Sequence, residues 1–241
     1  MDRRAGGGAA PALPGRWFAG LPPELQRALV AAGEHQHYAR GEFLQRQGQQ
    51  ETALNVVVDG QVKLVRQTPI GDALIYIGER GFWFGETAYL GDFAVAGSVA
   101  ARTPTTILRV GRAALDRLLA AQPTHLRDLA RLAATRTAIV LAAFGMASSL
   151  NPQQRLLGQL TLLTRMRREE RSDEDPVDLP LSQIDLAAIV GITRQTLHPL
   201  VKTLEDQGAI EVRFGHVRIL DSERFGVAQE STALPAARSD S

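Results

Sequence analysis

The sequence predicts an α+β chain in three parts: a glycine-punctuated β sandwich or barrel, a long helix, and a C-terminal winged helix-turn-helix. Three observations carry that prediction. Between about 36 and 110, short apolar runs in near alternation are broken at turn intervals by Gly41, Gly48, Gly60, Gly71, Gly78, Gly81, Gly85, Gly91 and Gly97. From about 112 to 149 the apolar period becomes that of a helix. Across 179–220, helix, glycine turn, helix and hairpin signals follow one another.

The elements follow in chain order. Residues 1–15 are mostly Gly, Ala and Pro, and 226–241 are poor in large apolar groups, so both ends predict disordered tails. A short helix is expected after Leu21, with Pro22 and Pro23 at its start and Leu25, Leu29 and Val30 on one face. Within a first domain of 16–111, LNVVVDGQVKLV (54–65) reads as the clearest hairpin, with Asp59-Gly60 as its two-residue loop. A second hairpin is expected in QTPIGDALIYIGE (67–79), punctuated by Pro69, Gly71 and Asp72.

A helical region covers 112–150, interrupted near Pro123-Thr124. One apolar row runs Leu126, Ala130, Ala133, Val140, Phe144, Ala147; the other runs Leu129, Leu132, Ile139, Ala143, Met146, Leu150. Two rows suggest a helix covered on two sides, by its own barrel and by a partner helix; the alternative is a core helix of one large domain. Asn151-Pro152 starts another helix, carrying Leu156, Leu157, Leu160, Leu162 and Leu163. MRREERSDEDP (166–176) reads as a charged loop ended by proline.

The last domain, 151–225, carries the chemistry. Ser182 with Asp185 three residues on forms a capping-box-like start to a helix with apolar Ile184, Leu186 and Ile189. Ala187 and Ala188 are small enough to let a second helix approach closely. Gly191 supplies the turn, Thr193 the N-cap, and the second helix runs through Leu197, Leu200, Val201 and Leu204 to Gly208. AIEVRFGHVRIL (209–220) then reads as two short strands about Phe214-Gly215-His216, a wing. An ordinary helical hairpin without a nucleic-acid role is the alternative to this DNA-reading unit. The domain holds ten Lys and Arg against twelve Asp and Glu, so contact with DNA phosphates would rest on a local patch of Arg194, Lys202, Arg213 and Arg218.

Composition narrows the function further. The chain has 241 residues, a formal net charge of +1, 44% hydrophobic residues and no cysteine. Disulfides, thiolate metal sites and cysteine nucleophiles are thereby excluded. No Gly-x-Ser-x-Gly, Walker or His-Glu-x-x-His motif is present, so no catalytic residue is assigned and the chain does not read as an enzyme. His35 and His37 lie two apart without a clearly placed carboxylate and read as ordinary strand histidines, so neither a metal site nor a cofactor is expected. Without a signal peptide or a run of about eighteen apolar residues, the sequence reads as cytoplasmic with no membrane partner.

This order of parts resembles the CRP/FNR family of bacterial transcription regulators over about residues 17–222. GEFLQRQGQQETALNVVVDGQVKLV (41–65) is similar to the family's opening hairpins, and GFWFGETAYL (81–90) to its Gly-Glu cassette. LSQIDLAAIVGITRQTLHPLVKTLEDQGAI (181–210) resembles its helix-turn-helix closely. The resemblance implies a double-stranded β-helix, jelly-roll-like effector domain, a long dimerisation helix, and a homodimer binding a near-palindromic operator in double-stranded DNA. RNA polymerase would be a further partner. The implied DNA-binding residues are Ser182, Thr193, Arg194, Gln195, Thr196, His198, Lys202, Arg213, His216 and Arg218. Those implied for an effector are Gly85, Glu86, Thr87, Val140 and Leu141.

The departures from the family are informative. Cyclic-nucleotide-binding members follow Gly-Glu with an Arg-Ser/Thr-Ala triplet whose arginine pairs with the cyclic phosphate, while the Glu holds a ribose hydroxyl. Here Gly85 and Glu86 stand, but Val95-Ala96-Gly97 occupies the triplet position and no arginine lies between Arg80 and Arg102. A buried phosphate without a cationic partner is strongly unfavourable. On the long helix, Val140-Leu141 replaces the polar pair that meets the base. These changes argue against ordinary cAMP control, and leave open another cyclic nucleotide or dinucleotide, a different small-molecule effector, or an interior filled by Phe82, Trp83 and Phe84.

The reading helix departs as well. The family's Arg-Glu, then Arg four residues after the Glu, becomes Arg194, Gln195 and Pro199. Gln195 can pair with adenine, whereas Pro199 reaches no base edge and predicts a kink. His198 is either a DNA contact or a bystander. A scaffold module whose winged helix binds protein is the reading from a different class; Arg194 at the helix start and the wing's Arg213, His216 and Arg218 favour the regulator.

Overall fold

The computed structural model describes residues 13–50, 52–69, 71–149, 151–171 and 176–222, without the side chains of 142–149. Expectations for the remaining residues, including most of both tails, Phe144, Ala143, Met146, Ala147 and Leu150, lie outside that set.

Two short helices, α1 (Arg16–Ala19) and α2 (Pro23–Ala32), precede eight strands. The strands are β1 (Glu34–Tyr38), β2 (Phe43–Gln45), β3 (Ala53–Asp59), β4 (Val62–Thr68), β5 (Gly71–Gly78), β6 (Trp83–Phe84), β7 (Ser98–Ala101) and β8 (Thr105–Gly111). They form two antiparallel four-stranded sheets, ordered β1-β8-β3-β6 and β2-β7-β4-β5. A short helix, α3 (Glu86–Gly91), lies between β6 and β7. The Pro22-Pro23 start holds, with Leu25 and Leu29 buried on the expected face. α1 was not foreseen, and Leu13 and Gly15, expected in the tail, are buried ahead of it.

The second predicted hairpin forms: β4 pairs with β5 from Val62–Gly78 to Thr68–Gly71. The first does not. β3 pairs with β8 and β6, while β4 pairs with β5 and β7, so the chain changes sheet at Asp59-Gly60. Gly60 makes that crossing with φ of 86°, where a Cβ would strike the Pro104 carbonyl oxygen. The local Asp-Gly signal is overridden because each strand finds longer partners elsewhere.

β3 is buried on both faces over most of its length, which explains a run that is apolar from Ala53 to Val58 except at the buried Asn55. Val57 faces the interior between the sheets, with Val62, Tyr76, Phe82, Phe84, Val99 and Ile107. Leu54 and Val56 face outward onto Phe18, Leu25, Leu29, Leu115 and Leu129 from the helices. The FWF triplet divides between these cores: Phe82 stacks on Phe84 inside, at 5.7 Å between ring centroids, and Trp83 packs outside against Trp17 and Phe18.

α4 (Arg112–Ala121) and α5 (His125–Ser149) flank the predicted break at Pro123-Thr124. Leu129, Leu132 and Ile139 are buried, whereas Leu126 and Val140 on the other row, and Leu141 next to Val140, are exposed. α6 (Pro152–Glu170) starts with Asn151 as N-cap, in a full capping box with Gln154. It extends through residues 166–170, where a loop was expected. Buried Arg167 donates to Glu170 Oε2 at 3.0 Å, pairs with Glu79 of the β domain and reaches the Asp178 carbonyl, so these charges continue the helix rather than end it.

The C-terminal unit adds β9 (Val177–Leu179), α7 (Gln183–Val190), α8 (Arg194–Asp206), β10 (Ile210–Arg213) and β11 (His216–Ile219), with sheet order β10-β11-β9. β9 was not foreseen. The unit packs on the β domain through one continuous apolar cluster, and Arg102 clasps it by donating to Asp185 and to the Pro180 carbonyl, each at 2.8 Å.

Candidate nucleic-acid interface and effector cassette

The two helices predicted to read DNA are fixed at their ends by the capping residues foreseen in the sequence. Ser182 Oγ accepts from Asp185 N–H at 3.1 Å and donates to its carboxylate at 2.7 Å. Gly191 closes α7 with φ of 71°. Thr193 Oγ1 accepts from Thr196 N–H at 3.1 Å and lies 2.9 Å from its hydroxyl. α8 then buries Leu197, Val201 and Leu204 and turns Arg194, Gln195, His198 and Lys202 outward. Ile184, read as apolar packing on α7, is exposed instead; Leu186, Ala187 and Val190 make its buried side.

Pro199 stands inside α8, and the helix continues to Asp206. It cannot donate to the Gln195 carbonyl. Because Pro199 lies on the exposed side, water can take up the bond the proline leaves open.

The ten residues read as DNA-facing divide sharply by their surroundings. Among the described residues, the side chains of Arg194, Gln195, His198 and Lys202 are exposed and have no hydrogen-bond or ionic partner. Ser182, Thr193 and Thr196 are engaged in capping. In the wing, Arg213 makes two 2.9 Å hydrogen bonds to Glu211, which hold that carboxyl below its usual range, and Arg218 lies 3.3 Å from Asp178. His216 is exposed beside the turn, whose Phe214 is fully exposed. The expected basic patch of four is thus two open cations on the helix and two paired ones on the wing.

The Gly-Glu cassette is built differently. Gly85 has φ of 98° at the start of α3, and a Cβ there would collide with the Ala53 carbonyl oxygen. Glu86 follows with only 1% of its surface exposed. Arg136 of α5 donates to both its carboxylate oxygens at 3.2 Å and to the Trp83 carbonyl, and Thr87 Oγ1 donates to Glu86 at 3.1 Å. The Arg136 guanidinium also lies 4.9 Å from the Phe82 ring centroid. Val140 and Leu141 are not brought to Glu86; they are 61% and 66% exposed on α5.

Arg136 was missed by sequence reading, although a signal existed. It fills the gap in the buried row Leu129, Leu132, Ile139, where a charge at an apolar position calls for a buried partner. His35 and His37 are exposed on β1, with His37 2.9 Å from Thr106 Oγ1. No group of three or more metal-binding side chains occurs among the described residues, and no described helix is long and apolar enough to cross a membrane.

Comparison with known proteins agrees with this division. The family described as "Cyclic nucleotide-binding domain" matches residues 35–122, and "Crp-like helix-turn-helix domain" matches 154–226, so the two together cover about two thirds of the chain. The CRP-like cAMP-activated global transcriptional regulator of Mycobacterium tuberculosis is 24% identical, over 86% of this chain and 93% of its own. The Cyclic AMP receptor protein of Thermus thermophilus is 27% identical, over 88% of this chain and 97% of its own. The solved structure of FixK2 from Bradyrhizobium japonicum shares the fold, with a TM-score of 0.67 at 16% identity, over 85% of this chain and 99% of that one. Two matched domains in the family's order, and relatives aligned along nearly their whole length, make this chain a member of the CRP/FNR family of transcription regulators.

Proposed function

We propose that the chain acts as a homodimer, binds a near-palindromic operator through α8, and does so without ordinary cAMP control. The observation carrying this reading is the row of exposed Arg194, Gln195, His198 and Lys202 on α8, without partners among the described residues. Arg194 and Gln195, at the helix start, suit base edges; Lys202, two turns on, suits a phosphate. The exposed apolar Leu126, Val140 and Leu141 of α5 support pairing with a second copy, which would double the phosphate contacts of a weakly charged domain.

The ion pair between Glu86 and Arg136 supports independence from cAMP, because the carboxylate that would meet a ribose already has its partner. The absence of arginine between Arg80 and Arg102 adds to this. RNA polymerase is the further partner such a regulator would meet. A cyclic-nucleotide-responsive regulator is the second reading, favoured by the match to the cyclic nucleotide-binding domain and by the printed names of the two curated relatives.

The test is selection of genomic fragments by ligand-free protein at near-physiological salt, followed by sequencing. An enriched palindrome is expected. Enrichment only with cAMP, cGMP or a cyclic dinucleotide would favour the second reading, and none under any condition would contradict DNA recognition by α8.

A further inference from the structure

The wing ends in a side chain that the fold does not use. Arg213 of β10 pairs with His216 of β11, so Phe214 and Gly215 alone form the loop between them. Gly215 has φ of 74°, a conformation suited to glycine, whereas Phe214 does not have a positive φ, so a small polar turn residue would serve there equally well. Its ring is nonetheless wholly exposed, while the next most exposed large apolar side chain described, Leu141, is 66% exposed. Folding gives no account of a phenylalanine at this position, since no apolar surface is removed from water.

The tip on which the ring stands is firmly placed. Ile210, Val217 and Ile219 are buried at the base of the hairpin, and β11 also pairs with β9. The Val212 amide donates to Glu205 Oε1 at 3.0 Å, which ties β10 to the last turn of α8. The wing is thereby fixed to the reading helix.

Its chemistry limits what the ring can meet. Arg213 is held by Glu211, and Arg218 lies 3.3 Å from Asp178, so the wing is not an open clamp for phosphates. A phenylalanine has no donor for a phosphate or a base edge. The apolar surfaces of a duplex are thymine methyls in the major groove, which α8 takes in the DNA-binding reading, and the base faces exposed when a step opens toward the minor groove.

We propose that Phe214 is a wedge, which enters the minor groove beside the major-groove segment read by α8 and opens one base step there. This rests on the DNA-binding reading of α8. The ring then determines sequence preference through the ease of opening rather than through hydrogen bonds, and favours a flexible pyrimidine–purine step.

The test uses the full chain and operator fragments recovered by genomic selection, with 2-aminopurine placed in turn at each position flanking the α8 contacts. The native protein should raise its emission at one step in each half-site, and Phe214→Ala should abolish that rise. Phe214→Ala should also weaken binding in fluorescence anisotropy by about tenfold, the scale of one lost aromatic–base contact, while Phe214→Trp retains the affinity. Melting temperatures should not change, because the ring is wholly exposed in the free protein. Arg194→Ala, run alongside, separates the two claims. Sequence preference lost in Arg194→Ala with unchanged affinity in Phe214→Ala overturns the wedge and leaves the α8 reading standing. Weakening by Phe214→Ala with no emission change at any step also overturns it, as does unchanged DNA affinity with lost polymerase binding, which would place the ring on a protein. Failure of the native protein to select any fragment overturns both.

Discussion

Two helix N-termini in this molecule carry residues proposed for effector and DNA contact, and they are treated in opposite ways. At α3, Gly85 leads into Glu86, which is buried and clasped by Arg136 from a helix fifty residues away in sequence. At α8, Thr193 caps the helix and Arg194 follows, exposed and without a partner among the described residues. The first arrangement closes a site by satisfying its polar group within the chain. The second leaves donors in water, where only a partner molecule can use them. A side chain's identity therefore does not state its role; whether its hydrogen-bonding capacity is already met does.

The contrast can be broken most forcefully at Arg136. Arg136→Leu leaves Glu86 as a buried, unpaired carboxylate, and should lower stability by about 3 kcal/mol in denaturant unfolding. Adding Glu86→Gln should recover most of that loss, and a double-mutant cycle with no coupling would contradict the closed cassette.

A comparable effect follows from Glu170, whose burial raises its pKa from the ordinary 4.5 to about 7, despite the opposing pull of Arg167. The folded state therefore holds this proton more tightly than the unfolded chain. Its contribution is fully present below pH 4.5 and is lost as pH rises through 7. Relative to Glu170→Gln, the native protein should lose up to about 3 kcal/mol between those pH values. Parallel stability curves for the two proteins would contradict it.

At α8, Arg194→Ala should cost about 1–3 kcal/mol in specific DNA binding and relax preference at one base position, without changing the melting temperature. Arg213→Ala on the wing should cost less, under about 1 kcal/mol, because Glu211 already pairs with that guanidinium. Equal losses from the two substitutions, read by fluorescence anisotropy, would erase the distinction between open and paired cations.

The helix-turn-helix was legible because its instructions are local. Ser182 with Asp185, Gly191, Thr193 and the Phe214-Gly215 turn act within a few residues, and each forms the cap or turn its chemistry predicts. The β domain was legible as a class but not as a topology. The Asp59-Gly60 turn carries the local signature of a hairpin, yet strand pairing across fifty residues decides its outcome. β9 has only three residues and exists through its pairing with β11, nearly forty positions later. The helical fate of 166–170 depended on Glu79 in another domain, which no local window contains.

The cassette was half legible. Glu86 and the missing arginine could be read directly, whereas Arg136 as the internal partner required knowing which face of α5 meets α3. The pairing of the wing arginines was similarly hidden, although Glu211 and Arg213 stand two apart on one strand and so share a face.

The most direct test of a closed cassette beside an open reading helix is DNA affinity with and without cAMP. Fluorescence anisotropy on a selected operator should give the same Kd for ligand-free protein and for protein in millimolar cAMP, with Arg194→Ala weakening specific binding equally in both. A tenfold or greater gain in affinity on adding cAMP would contradict the account, because the nucleotide would then have displaced Arg136 from Glu86.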